Sequence, residues 1–226
     1  MPRRRPSSHE WLREHRRDPY VQAAAREGYR SRAAYKLLEI HERPPAGLLR
    51  AGMAIVDLGA APGGWTQVAA QHAGPRGVVV AVDLLAMDPL AGVAIIQGDF
   101  LQEATVVEVK RVLGRPADLL LSDMAPNMSG IKAVDQPRGE LLAEAALAFA
   151  AAILKPQGAA VIKLFEGPGF HDLVREARTA FGQVKVVKPK ASRGRSPEHY
   201  LLCQGFRASL ANMEGIDACH QAGVHI

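Results

Sequence analysis

Between residues 51 and 206, short apolar runs rich in β-branched residues alternate with longer stretches whose apolar positions recur at helical spacing. The runs Met53–Leu58, Gly77–Val82, Val93–Gln97, Asp118–Ser122, Ala159–Leu164, Val184–Lys188 and Tyr200–Gln204 predict seven strands. Helices are predicted over Trp65–Gln71, Glu103–Leu113, Gly139–Leu154 and Phe170–Ala180, the third ending at the breaker Lys155-Pro156-Gln157-Gly158. Two further helical patterns precede the first strand, Trp11–Ala25 and Tyr29–Ile40. Ser31 could cap the second, which sets Ala34, Leu37 and Leu38 on one face and Arg32, Lys36 and Glu39 on another side. Alternation of strands and helices implies an α/β fold with a mostly parallel sheet and helices on both faces. The last two strands are separated only by a basic loop, so they are expected to pair antiparallel as a hairpin.

Domain organisation follows from this pattern. Residues 11–206 form one domain, with 11–50 a basic helical lead-in and 51–206 the core; 226 residues suffice for one such unit. Residues 1–10, rich in Arg, Pro and Ser, are expected to be disordered, and 207–226 is a tail without clear periodicity or assignable role. The longest apolar run, Leu141–Leu154, is interrupted by Glu144 and falls short of the ~20 residues that span a bilayer, so no membrane association is expected. No apolar stretch follows Arg3–Arg5, which therefore does not resemble a secretory signal. Cys203 and Cys219 have no metal or redox spacing and suit a reducing cytoplasm; the eight histidines show no ligand spacing, so no metal is expected. A monomer is expected.

Charge adds a second layer. Residues 1–50 carry 12 basic against 6 acidic side chains, 185–207 carry 6 against 1, and the middle, 51–184, carries 10 against 14. Two basic flanks around an acidic centre suit a small-molecule site bordered by a polyanion-binding surface, with Arg30, Arg32, Arg193 and Arg195 as candidate RNA contacts.

The acidic centre has its own logic. Parallel strands bring their carboxyl ends to one edge, and there the chain places Asp57, Asp83, Asp99, Asp123 and Lys163. A single aspartate after a strand is ordinarily a turn or helix cap; recurrence at successive strands points to a ligand. The loop after the first strand reads G-A-A-P-G-G-W from Gly59 to Trp65, not the G-x-G-x-x-G that cradles a pyrophosphate. Gly59 and Gly63 allow close backbone approach, Asp83 is placed to accept two ribose hydroxyls, and Asp99 beside Phe100 to take an adenine amino group against an apolar wall. An adenosine without phosphates that carries a positive sulfonium fits that set, which is S-adenosylmethionine.

The same residues carry a resemblance. The stretches S-R-A-A-Y-K-L, V-D-L-G-A-A-P-G-G-W, D-L-L-A-M-D-P, Q-G-D-F, S-D-M-A-P-N-M-S-G, a lysine on the fifth strand and S-R-G-R-S-P-E-H-Y together resemble the FtsJ-type ribosomal RNA large-subunit methyltransferases, from Trp11 to about Phe206. The resemblance implies a Rossmann-like S-adenosylmethionine-dependent methyltransferase fold. It also implies methylation of a ribose 2′-hydroxyl of a uridine in 23S ribosomal RNA, in the A loop of the assembled large subunit. The catalytic set it implies is Lys36, Asp123, Lys163 and Glu198, and the cofactor set is Asp57, Gly59, Gly63, Trp65, Asp83, Asp99, Phe100 and Asp123. Lys163 is the candidate base, which requires its pKa to fall; Asp123 would orient the amine, and Glu198 would hold Lys36 or the ribose. Pro197 departs from the polar residue expected before the glutamate and bears on the loop that presents it. Two other readings stay open: ribose methylation of transfer RNA or a messenger cap, and an RNA-binding assembly factor without activity.

Overall fold

The computed structural model describes residues 17–127, 129–194 and 196–207. In chain order the elements are α1 Pro19–Glu27, α2 Ala33–His41, β1 Ala54–Leu58, α3 Gly64–Ala73, β2 Val78–Asp83, β3 Val93–Gln97, α4 Glu103–Leu113, β4 Ala117–Ser122, α5 Lys132–Ile153, β5 Leu154–Phe165, α6 Phe170–Ala180, β6 Phe181–Val187 and β7 Glu198–Phe206. The seven strands form one sheet in the order β3-β2-β1-β4-β5-β7-β6. Neighbours among β1 to β5 pair parallel, whereas β7 pairs antiparallel with both β5 and β6. The expected terminal hairpin is present, with β7 inserted between β5 and β6. After β3 the chain returns to the other side of β1 to lay down β4, and that reversal opens a crevice at the carboxyl ends of β1 and β4.

Strand parity assigns each face its layer. Val56 and Leu58 of β1, Leu120 of β4, Ile162 of β5 and Leu201 of β7 pack in a core with α4, α5 and α6. Their neighbours in sequence, Ile55, Leu119, Leu121, Val161, Tyr200 and Leu202, pack in a second core with α2 and α3. Because side chains alternate with period two, residues two steps beyond Leu121 and Val161 point toward α2: they are Asp123 and Lys163. Glu198 shares the face of Tyr200 for the same reason. Parity therefore delivers an acid, a base and a second acid to the side of the sheet on which α2 carries Lys36.

Several element boundaries differ from the sequence expectation. Asp18 caps α1 by accepting from the Tyr20 amide at 3.0 Å, and Gly28 ends the helix at φ 77; residues 11–16 lie outside the described residues, as do the expected disordered segment and residues 208–226 of the tail. Helix α5 starts at Lys132, not Gly139. Pro137 sits in its second turn, where the missing N–H removes one hydrogen bond. Asp135 secures the entry by accepting from Ser129 N, Ser129 Oγ and Gly130 N at 2.7–2.8 Å. The breaker Lys155–Gly158 is not a loop but an irregularity inside β5, where pairing shifts between Ala117 and Leu119 and Gln157 adopts φ 65. Glu198 opens β7 as a strand residue opposite Phe165. Pro197 lies just outside the strand, its carbonyl accepting from Glu166 N at 3.0 Å, so the ladder beyond it runs unbroken.

At the other end of the sheet Asp118 ties three segments together. Its Oδ2 accepts from Ala54 N at 2.7 Å and Arg115 Nη1 at 2.9 Å, and its Oδ1 pairs with Lys155 Nζ at 2.5 Å. Burial pushes this carboxyl up, but Lys155, the Ala54 amide and Arg115 outweigh it and hold it below the ordinary carboxylate range. A depressed folded pKa gives stability that is present above the unfolded value, about 3.9, and is lost as pH falls through the folded one. Asp118→Asn should therefore lower the unfolding free energy by about 2 kcal/mol at pH 7, with the deficit shrinking below about pH 4. Urea unfolding at the two pH values checks this.

Candidate active site

The carboxyl ends of β1 to β4 surround a cavity of about 340 Å³. Of the expected cofactor residues, Gly59, Asp83, Asp99, Phe100 and Asp123 line it, together with Leu84, Leu85, Met124 and Asn127. Both Asp83 oxygens are held in place, Oδ2 accepting from Ala61 N at 2.9 Å and Oδ1 from Leu85 N at 2.8 Å. Each keeps a lone pair for a further donor. Asp99 Oδ1 accepts from Leu101 N at 2.9 Å, and Phe100 is set edge-on to Phe149 with 6.0 Å between ring centroids. Gly59 has φ +67, and a Cβ there would stand 2.3 Å from Met124 Cγ, so only glycine fits beside the cavity wall. Three aspartates and no lysine, arginine or histidine line the space among the described residues. That donor set suits hydroxyls, an amine and a positive charge, and repels phosphate.

Three other expected cofactor residues stand behind the wall. The Asp57 carboxylate is buried and accepts from Thr66 Oγ1 at 2.6 Å. Burial drives it up to about 7 against the Thr66 hydrogen bond, with the charges of Asp123 and Asp83 adding to the rise. Trp65 is buried against α2, donating from Nε1 to Ala33 O at 2.8 Å. Gly63, at φ +108, packs on Arg30 and Met87.

At the rim of the cavity the four expected catalytic side chains meet. Lys36 Nζ lies 3.0 Å from Glu198 Oε1 and 3.7 Å from Asp123 Oδ1, and Lys163 Nζ lies 3.0 Å from Asp123 Oδ1 and 3.6 Å from Glu198 Oε2. Lys163 Nζ also donates to the Asp123 carbonyl at 3.3 Å. Tyr200 joins them without having been expected: its hydroxyl donates to Asp123 Oδ1 at 2.6 Å and accepts from Lys36 Nζ at 3.0 Å. The signal available was its spacing, two residues after Glu198 on one strand and directly across from Lys163. The sequence reading took it only as the first residue of the seventh strand, and its side chain is fully buried.

Burial and pairing oppose each other throughout the cluster. Burial pushes Asp123 up, but Lys163 and Lys36 hold it below its ordinary value; Glu198 is likewise raised by burial and lowered further by Lys36 and Lys163. Burial pushes Lys163 down, yet Asp123 and Glu198 prevail and hold its ammonium above the usual lysine value. Tyr200 is held protonated by burial and by the two carboxylates. The fall in the Lys163 pKa expected of a base is thus not a property of the cluster by itself.

The candidate RNA contacts are engaged differently. Arg30 donates to three backbone carbonyls, Pro62, Asp88 and Pro89, at 3.2, 2.8 and 2.7 Å. Arg32 pairs with Asp18 and donates to the Ala191 carbonyl. Arg193 Nε stands 3.7 Å from Asp18 Oδ2, and Arg195 lies outside the described residues. Glu39 accepts from Lys190 N and Ala191 N at 2.6 and 2.8 Å, so α2 grips the basic β6–β7 loop through a carboxylate that the sequence reading set apart from the apolar face.

A profile of the FtsJ-like methyltransferase family matches residues 29–206. The chain is similar to the ribosomal RNA large subunit methyltransferase E of Magnetococcus marinus, 57% identical over 214 residues that cover 92% of this chain and 100% of that protein. It is 55% identical over 205 residues to the protein of the same name from Alkalilimnicola ehrlichii, covering 90% and 97%. Among solved structures it is similar to a crystal structure assigned to a ribosomal RNA methyltransferase of Plasmodium falciparum, with TM-score 0.71 and 27% identity over 80% of this chain and 100% of that one. With the family profile spanning the whole cavity and cluster, and more than half the residues shared along full-length relatives, the chain belongs to the FtsJ-like methyltransferase family.

Proposed function

We propose that the protein methylates a ribose 2′-hydroxyl of a uridine in 23S ribosomal RNA, in the A loop of the assembled large subunit, acting as a cytoplasmic monomer. The observation that carries this reading is the position of Asp123, which lines the acidic cavity and anchors both lysines of the cluster beside it. Asp83 would hold the ribose of S-adenosylmethionine, Asp99 its adenine amino group, and Phe100 would wall the ring. When bound, the cofactor supplies a methyl group on a positively charged sulfur. Asp57, Gly63 and Trp65 support that site from behind.

A ribose hydroxyl is almost wholly protonated at neutral pH, so its methylation, in which the carbon–sulfur bond would break as the carbon–oxygen bond forms, needs a group that takes the proton. Lys163 Nζ accepts that proton, and Asp123 and Glu198 fix where the amine points. For Lys163 to begin neutral, the carboxylates must be drawn off it. Lys36 already shares both of them, and a positive charge held in the cavity that Asp123 lines competes for the same oxygen. Tyr200 keeps Asp123 and Lys36 in register. The loop carrying Arg193, gripped by Glu39 and Arg32, presents positive charge to RNA phosphates beside the cluster.

Incubation with labelled S-adenosylmethionine and isolated large ribosomal subunits, followed by mapping of the modified nucleotide, should yield a single 2′-O-methyluridine in 23S RNA. Labelling of transfer RNA instead, or RNA binding without transfer, would overturn the reading. Lys163→Ala should reduce kcat by about 10²–10⁴-fold while cofactor affinity measured by titration calorimetry changes little. The pH dependence carries a sign. The free enzyme's kcat/KM should rise with pH, because Lys163 must shed a proton that two carboxylates retain. Glu198→Gln removes one of those charges, so the rising limb should move to lower pH; a shift to higher pH would exclude Lys163 as the proton acceptor.

A further inference from the structure

We propose that Arg30 is a positioning residue of the cofactor cavity, acting through the two loops that wall it, and not a contact for RNA phosphate. The inference rests on reading the cavity as the S-adenosylmethionine site. The loop after β1 supplies Gly59 and Ala61 to the lining, and the loop after β2 supplies Leu84 and Leu85, which are 53% and 67% exposed. From the cavity side one group bridges these loops: the Asp83 carboxylate, which accepts from Ala61 N and Leu85 N. From the outer side the bridge is the Arg30 guanidinium. Its Nη1 donates to Pro62 O in the first loop and Asp88 O in the second, and its Nη2 donates to Pro89 O.

The anchor behind this fork is itself fixed. Arg30 N donates to Gln67 Oε1 at 2.6 Å, and Gln67 Nε2 donates back to Gly28 O at 3.0 Å, which pins the turn between α1 and α2 to helix α3. Gly63 lies between the Arg30 stem and Met87 of the second loop. A Cβ there would come within 3.0 Å of Arg30 Cδ and 3.1 Å of Met87 Sδ, so the absence of a side chain lets the two loops close over the arginine. A planar guanidinium can serve three carbonyls on two loops at once, whereas a lysine ammonium on a single flexible stem keeps the charge but not the fork. Three of the five guanidinium N–H donors are engaged by these carbonyls, so the position of the fork is set by the two loops.

Arg30→Lys separates the two roles because it preserves charge. The variant should bind S-adenosylhomocysteine about tenfold more weakly by calorimetry, the loss expected for about one charge-assisted hydrogen bond. Its affinity for a large-subunit RNA transcript should keep the wild-type salt slope. Amide hydrogen exchange at Ala61 and Leu85 should be slow in the wild type and faster in the variant at an unchanged thermal midpoint. Wild-type affinity for S-adenosylhomocysteine together with a reduced RNA salt slope would return Arg30 to the RNA surface. If the variant does not fold, the wild-type exchange still decides, since rapid exchange at Ala61 and Leu85 would overturn the double bridge. Failure of the wild type to bind S-adenosylhomocysteine would remove the cofactor reading and this inference with it, whereas equal binding by both proteins would remove this inference alone.

Discussion

One oxygen organises the candidate active site. Asp123 Oδ1 receives the Tyr200 hydroxyl at 2.6 Å and lies 3.0 Å from Lys163 Nζ and 3.7 Å from Lys36 Nζ. A largely buried carboxylate is tolerable only when it is paired and hydrogen-bonded, and removing one partner of such a pair typically costs about 3–5 kcal/mol. Two ammonium groups and two carboxylates balance here, so the cluster can sit at the edge of a core without a standing charge. Its geometry is set by the fold. Strand parity turns Asp123, Lys163, Glu198 and Tyr200 to the face covered by α2, and the antiparallel β7 lets Glu198 come from the end of the chain to meet residues from β4 and β5.

That arrangement depends on how α2 is held. Trp65 joins it to α3 through Ala33 O, and the Trp65 ring lies 5.6 Å from that of Tyr200. Glu39 and Arg32 grip the β6–β7 loop, while Lys36, three residues before Glu39, enters the cluster. The basic lead-in therefore works first as structure. Several of its charges face partners within the chain, and the two flanks that looked independent in the charge distribution meet around α2.

The fold was legible because its signals are local and repeated. Seven apolar runs became seven strands, and the tight spacing of the last two forced an antiparallel pair. Lys36, Asp123, Lys163 and Glu198 were legible through motif resemblance, and parity explains why such distant positions converge. What escaped was decided by tertiary partners. The entry to α5 depends on Asp135 accepting from Ser129 and Gly130, contacts that start the helix at Lys132, ahead of the expected Gly139. Tyr200 has one atom in the cluster and the rest of its side chain in the core, so hydrophobic patterning sees only the ring. Arg30 was assigned by its charge, yet its neighbours are backbone carbonyls, which leave no trace in composition.

Asp57 and Asp83 show how little the strand-end position settles by itself. Asp57 is the penultimate residue of β1 and Asp83 the last of β2, at the same edge of the sheet. Asp57 meets the Thr66 hydroxyl in the first turn of α3 and is enclosed, so burial drives it to about 7 and it is partly protonated near neutral pH. It serves there as a hydrogen-bonded strut between β1 and α3 more than as a fixed charge. Among the described residues Asp83 meets no helix side chain: its oxygens take backbone amides from the two loops on either side, and it lines the cavity. Because the charges of Asp83 and Asp123 are among the causes that raise Asp57, a cation entering the cavity would offset them and favour ionised Asp57. The carboxylate that supports the loop is thereby coupled to the charge of whatever the loop holds.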